Sequence, residues 1–518
     1  MIPRLLRSPL KVGAIGWMLC TTACADLEVV NVNEPDRDRA LSDALAVESL
    51  IAGSFRTWWD IQQGRTTRAL SSMGDTHLSN ANNYGNWDAA HEPRKAIINT
   101  PGYQWGYAIE DPFMIQNRAL AAVRDGLLVI EGGVQIGANG ADTPRLRAFA
   151  KLMQGLFTAN IALLYDKGWV VDEKTDTQKN VAEKKLVGYK ELMAKAQGYL
   201  AEVRTIAGQG TFTTPTTWAG TAITNARLIQ IANSYEARFM TAVARSPADR
   251  QAVDWNRVLT LINAGVTTDF GVNMDGPGGI WSKGAGLKAI SGLGGGVHPR
   301  LVGPADQSGA WRAWENTEPR LRNWFLVETD DRRIHAPGRP DLSGTLIELQ
   351  KNPTTGAQII ANGPERGNWY QTPYTTTAWR VISQTNLGFA PDLSVEEMNF
   401  LKAEALIRLN RAAEALPIIN ASRANGGLPP ATVTGVSGDR CVPRTITGAC
   451  GDLMATLMYE KRIETLWLSG GLDYFDARGW STLLKGTPRH FPVPALELNA
   501  LPLPLYTFGG VGGLDAQP

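Results

Sequence analysis

The feature that most constrains this fold is a change of pattern along the chain. From residue 44 to about 265, and again from Ser394, apolar residues recur at helical spacing. Val47, Leu50, Ile51, Phe55 and Trp58 share one face of a segment over 44–62, with Ser42 placed to cap it. Thr143-Pro144 opens another helix, because proline suits a first helical turn, and Leu146, Phe149, Met153 and Leu156 line its face. Asp111-Pro112 gives the same start signal for a helix ending near Ile130. Further helices are expected over 189–206, 225–244, 255–264, 412–421 and, last in the chain, 452–469. Ser394 and Glu397 have the spacing of a reciprocal capping box ahead of Met398, Leu401, Ala405 and Leu409. Between the helical parts, residues 266–390 lose the period and are rich in Gly, Pro, Thr and aromatics. Residues 71–107 also read as a long ordered loop, and 345–349 as a short strand. Successive apolar stripes must be buried against one another, so the chain is read as mainly α. It is a stack of helix pairs with a loop-rich irregular half and few short strands.

The N-terminus carries export signals. Arg4, Arg7 and Lys11 flank an apolar run over 12–19, too short for a membrane span, which needs about 20 residues. Thr21-Thr22-Ala23-Cys24 resembles a lipobox, with Thr21 where an aliphatic residue is usual. Cys20 is a rival acceptor, but bulky Leu19 precedes it. The expectation is a signal peptide over 1–23, lipid on Cys24, and a polar tether over 24–41; a plain signal peptide with incidental cysteines is the alternative. Cys441 and Cys450 flank a Pro- and Gly-containing loop, and an oxidising compartment favours a disulfide between them over two free thiols. A formal net charge of +1 with no Lys/Arg-rich block excludes a concentrated nucleic-acid surface.

Signatures of catalysis are weak. His77, His91, His298, His335 and His490 share no metal-ligand spacing. Gly284-Ala285-Gly286-Leu287-Lys288-Ala289 matches a dinucleotide pattern only loosely. Asp330-Asp331 is the kind of acid pair a glycosidase uses, but such pairs are common on surfaces. No catalytic residue, metal or cofactor is therefore expected. The stronger clue is aromatic: the chain has 16 Trp. Sugar rings pack their C–H faces on flat aromatics while amides and guanidinium groups take their hydroxyls. Two loop clusters have that composition. One is Asn80, Asn82, Asn83, Tyr84, Asn86 and Trp87; the other is Arg366, Asn368, Trp369, Tyr370 and Gln371. Asn83, Tyr84, Trp87, Asn368, Trp369 and Tyr370 are the expected ligand-binding residues. The alternative is that these aromatics only pin loops to the scaffold, as Trp58-Trp59 is expected to serve the core.

Three C-terminal passages resemble the SusD/RagB-like outer-membrane nutrient-binding lipoproteins. Asn420-Ala421-Ser422-Arg423 ahead of Gly427-Leu428-Pro429 is similar to that family's "N-x-x-R…G-L-P" turn. Glu460-Lys461-Arg462-Ile463-Glu464, followed by Asp473-Tyr474-Phe475-Asp476-Ala477-Arg478-Gly479-Trp480, is similar to its "E-R-R-x-E…R-W-F-D-L-R-R-W", with Gly479 where Arg is common. Phe491-Pro492-Val493-Pro494 with Glu497 and Asn499 resembles "F-P-I-P…E…N", while the usual "Q-N-P-G-Y" ending is replaced by Leu503-Pro504-Leu505-Tyr506. The resemblance implies one domain over 42–518, with a tetratricopeptide-like scaffold over about 42–265 and 391–480 and a loop-rich region over about 266–390. It also implies a surface-exposed lipoprotein of the outer membrane, acting without catalysis as the lid of a SusC-like TonB-dependent barrel. A glycan is the default ligand and a peptide the alternative; a surface-anchored glycoside hydrolase is a more distant third. The motif charges themselves, Glu460, Arg462, Glu464, Asp473, Asp476 and Arg478, read as buried, mutually satisfied ions rather than catalytic groups.

Overall fold

The computed structural model describes residues 43–79, 86–103, 106–281, 295–336, 344–350 and 371–518. Its longer helices are α1 (Ala44–Ala52), α2 (Ser54–Gln62), α3 (Arg65–Met73), α4 (Tyr107–Glu131), α5 (Thr143–Leu164), α6 (Tyr189–Ala207), α7 (Asn225–Ala242), α8 (Trp255–Asn263), α9 (Val395–Arg408), α10 (Ala412–Asn425), α11 (Leu453–Glu464) and α12 (Leu472–Trp480). From α4 to α10 each helix packs on the next, the neighbour-on-neighbour arrangement of a helical-repeat scaffold. The molecule is mainly α, as the periodicity predicts. α5 is its axis, buried without interruption from Ala148 to Leu164, so neighbours enclose both its apolar stripe and its polar side, where Lys151 meets Glu173 and Asn160 meets Gln116.

Several boundaries differ from the sequence reading. The 44–62 helix is two helices divided at Gly53, and Asp43 caps the first by accepting from Leu45 N at 3.0 Å. α4 begins before Pro112 instead of at it. Proline cannot donate to the carbonyl four residues back, here Ala108 O. Thr66 Oγ1 donates to that oxygen at 2.9 Å from the neighbouring helix, so the helix passes through the proline with its acceptor satisfied. Within 71–107 the chain finishes α3, forms a strand at His77–Ser79 and adds a short helix, Asn86–Ala90. Helices also follow the one expected to be last, because α12 and Ala495–Ala500 lie beyond it. Ser394 Oγ caps α9 by accepting from Glu397 N at 3.0 Å. The capping box is only half built, because the Glu397 carboxylate is drawn inward to Arg238.

The loop-rich region is tied at its base. Its entrance strand, Phe270–Asp275, pairs antiparallel with its exit strand, Leu387–Leu393, so α8 and α9 pack together across the excursion. Gly271 makes that pairing possible, since a Cβ there would collide with Ala390 O. Inside the region, Gly295–Val297 pairs with His77–Ser79, and Ile347–Leu349 pairs with Tyr374–Thr376, all antiparallel.

Of the C-terminal charges, Glu460, Asp476 and Arg478 are buried and Arg462, Glu464 and Asp473 half-buried. They are not all paired with one another, because Arg462 meets the Gly74 and Asp75 carbonyls and Asp473 meets Ser71 and Thr76. Arg250 bridges Glu404 at 2.6 Å and Asp476 at 3.1 Å, and Lys461 meets Asp476 at 2.6 Å. Glu460 takes Arg333 at 2.7 Å and Arg423 at 3.1 Å. Arg478 instead donates to four backbone carbonyls, those of Leu163, Ala242, Ala244 and Arg489, and so ties α12 to the ends of α5 and α7. Gly479 has a local reason, because a Cβ there would sit 3.2 Å from Arg250 Cδ. The Phe491–Pro494 passage docks on α5, with Phe491 N donating to Leu164 O at 2.7 Å and Asn99 bonding Val493 O and Ala495 N. Glu497 accepts from Trp169 Nε1 at 2.8 Å. Trp58 and Trp59 are core residues, and Trp58 Nε1 donates to Asp392 at 2.8 Å.

Candidate functional site

Cys24, Asn83, Tyr84, Asn368, Trp369 and Tyr370 lie outside the described residues, as do the tether and the Gly284–Ala289 segment. Trp87 falls in the short helix Asn86–Ala90, whose backbone is described and whose Trp87 side chain is not. The structure does define where the two aromatic loops are rooted. The first leaves the His77–Ser79 strand, and the second spans the gap between Ile347–Leu349 and Tyr374–Thr376. These roots adjoin, because Gly295–Val297 pairs with the first strand and packs beside Tyr374–Thr376.

One segment joins the roots from outside. Leu78 is buried against Trp314, which packs on Phe325 with ring centroids 6.0 Å apart. Two residues on, Val327 N donates to the Tyr374 hydroxyl at 2.8 Å. Trp314 sits in a short helix, Ala310–Asn316, held down by charge. Arg300 meets Glu315 at 2.6 Å and Glu92 at 3.0 Å, Arg322 meets Glu92 at 3.1 Å, and the Arg322 guanidinium lies 4.3 Å from the Trp314 ring centroid. Arg320, Leu321, Asn323 and Trp324 are exposed on this braced segment. Trp324 keeps 36% of its surface in solvent, which gives an aromatic face with an amide beside it at the junction of the loop roots. Sequence reading did not single out Trp324. Its signal was available, because Asn323-Trp324 repeats the Asn-Trp pairing of Asn86-Trp87 and Asn368-Trp369.

A second concavity, of about 340 Å³, opens where α2, α3 and α4 meet. Asp60, Arg65, Tyr107 and Asp111 line it, with the Arg65 guanidinium 5.1 Å from the Tyr107 ring centroid. Burial raises the Asp111 pKa against the pull of Arg65, and burial followed by the Asp111 charge raises that of Glu110. The concavity thus carries acidic, basic and aromatic groups together. The Asp330-Asp331 pair is committed elsewhere, with Asp330 bound by Arg440 at 2.7 Å and Asp331 buried against Arg333 at 2.7 Å. No group of three His, Cys, Asp or Glu side chains among the described residues is arranged to hold a metal. No helix among them is long and apolar enough to cross a membrane. Cys441 and Cys450 form a disulfide.

No protein-family model and no curated protein sequence matches this chain. Solved structures do. A SusD homolog from Bacteroides thetaiotaomicron VPI-5482 superposes with a TM-score of 0.57 at 13% identity, over 92% of this chain and 99% of its own. The chain has the SusD-like fold. A SusD-like protein from Bacteroides fragilis NCTC 9343 superposes with a TM-score of 0.56 at 12% identity, covering 86% and 88% of the two chains. A SusD-like carbohydrate-binding protein from Bacteroides vulgatus ATCC 8482 does so with a TM-score of 0.52 at 14% identity, covering 85% and 84%.

Proposed function

We propose that this chain is a non-enzymatic glycan-capture lipoprotein, anchored through Cys24 and serving as the lid of a SusC-like TonB-dependent outer-membrane barrel. The observation that carries the reading is the exposed Asn323–Trp324 pair, braced where the roots of the two Asn- and aromatic-rich loops adjoin. An aromatic face flanked by an amide suits a sugar ring: the C–H face stacks and the hydroxyls find a donor and an acceptor. The fold supports it, since a carbohydrate-binding protein shares it. Asp330 and Asp331 are each engaged by an arginine, which supports a structural over a hydrolytic role for that pair.

The test is a binding panel of oligosaccharides and peptides on the full chain, with product analysis. Retention of a glycan without bond cleavage is expected. Retention of peptides alone would transfer the site to peptide uptake, and release of shorter sugars would overturn the non-enzymatic reading. Co-purification of a TonB-dependent barrel from outer membranes tests the partner. Cys24→Ser should leave a folded, ligand-competent protein that is lost from the membrane fraction.

A further inference from the structure

A separate cavity of about 130 Å³ lies between α11, the end of α12 and the disulfide loop. Its apolar walls include Pro443, Ala455, Met458 and Trp480, and its cations are Arg444 and Arg462. The Tyr459 hydroxyl is turned away to Asp331 at 2.6 Å. A water needs only about 10–15 Å³ of such space, so the cavity has room for a small organic molecule.

The two arginines share with Arg245 and Arg478 the lack of a carboxylate in contact among the described residues, unlike four other arginines of the chain. Arg238, Arg250, Arg300 and Arg333 each meet a carboxylate directly. Arg462 donates only to the Gly74 and Asp75 carbonyls, at 3.1 and 3.2 Å. Arg444 donates only to the Gly448 and Asp439 carbonyls. Neither is within ion-pair reach of a carboxylate among the described residues, and the Nε of each is buried without an acceptor. Burial lowers the Arg462 pKa, with Asp75, Asp473 and Asp476 opposing that from beyond contact. Two guanidinium groups with no carboxylate in contact, beside an apolar wall, suit an oxyanion carried on a small organic body.

We propose that this cavity binds such an oxyanion, a carboxylate or a sulfate ester, with Arg444 and Arg462 as donors and the Cys441–Cys450 loop setting the position of Arg444. The loop is placed to do so, since the disulfide closes it and Arg444 N donates to Pro304 O at 2.7 Å. The site is independent of the Trp324 surface and does not rest on the glycan reading.

Calorimetric titration of the full chain with galacturonate, galactose 6-sulfate and neutral galactose tests it. At least one acidic sugar binds and galactose does not; which acid binds identifies carboxylate or sulfate as the recognised group. Arg444→Met weakens that binding by about tenfold or more, the loss expected for a charged hydrogen bond. Ala455→Leu, which fills the cavity and leaves both arginines in place, abolishes it. Reduction of the disulfide weakens it as well. Failure of both acidic sugars to bind the unaltered chain, or equal affinity in both variants, overturns the proposal. Unchanged affinity after reduction removes the loop from it.

Discussion

In the helical scaffold, Arg250 and Glu404 meet at 2.6 Å with neither side chain reaching solvent. In the loop-rich half, Arg300 and Arg322 grip Glu92 and Glu315 with the glutamates still 15–16% exposed. Both clusters use arginine–glutamate pairs, but water reaches only the second of them. A dry pair has lost its hydration, so removing one partner strands the other; a wet pair falls back on solvent. The Arg250 cluster is thereby fixed, while the Arg300–Arg322 cluster is held by ties that cost less to rearrange; the loop-rich half also has a dry anchor, in which Arg333 meets Asp331 and Glu460.

The largest effect should come from breaking the dry pair. Arg250→Met leaves Glu404 and Asp476 buried with only Arg408 and Lys461 beside them, and should cost about 3–5 kcal/mol in urea unfolding. Loss of less than about 1 kcal/mol would erase the distinction between the two clusters.

Acid should act next, on the loop-rich half. Burial holds the His298 pKa near 3 against an ordinary 6.5, with Asp75 opposing and Arg300 adding to the depression. The unfolded chain therefore binds a proton between those values that the folded chain refuses. Stability is full above pH 6.5 and is lost as pH falls toward 3, by about 2 kcal/mol at pH 5 from this residue. His298→Asn can still cap Arg300 N, which the imidazole does at 3.1 Å, and should make that limb of the stability–pH curve shallower, with buried His77 and His490 supplying the rest of the slope. An unchanged slope would assign the acid sensitivity to other groups.

Thr66→Val should strand Ala108 O at the proline of α4 and cost about 1–2 kcal/mol in the same unfolding assay. Smaller still, Glu92→Gln in the wet cluster should cost about 1 kcal/mol or less. A cost matching that of Arg250→Met would show that the ties of this cluster are as rigid as those of the Arg250 cluster.

The same division decided what could be read from sequence. Helix existence was legible for α5, α7 and α9 because their apolar stripes are local, recurring within a few residues. Boundaries failed where a distant group intervened, as when Thr66 satisfies the carbonyl left open by Pro112 or Arg238 draws Glu397 out of its capping box. Mutual pairing of the motif charges was legible from their density for Glu460 and Asp476 but not for Arg462 and Arg478, which meet backbone carbonyls instead. Partners outside the motifs were not legible, because Arg250 and Arg333 come from elsewhere in the chain and no spacing rule connects them. The site was legible as composition, in Asn-rich aromatic loops, but the Trp324 junction emerges only when two strand pairs and Trp314 are seen to adjoin.

The most direct test of the central claim is glycan binding by the unaltered chain and by Trp324→Ala, measured calorimetrically on the oligosaccharide that the panel selects. Trp324 is 36% exposed and otherwise packed, so its removal should cost about 1–3 kcal/mol of stability, and folding of the variant is checked alongside binding. The account predicts that the same change weakens glycan affinity by about tenfold or more, the scale of losing a stacked aromatic at a binding site. Unchanged affinity in a folded Trp324→Ala protein would contradict it.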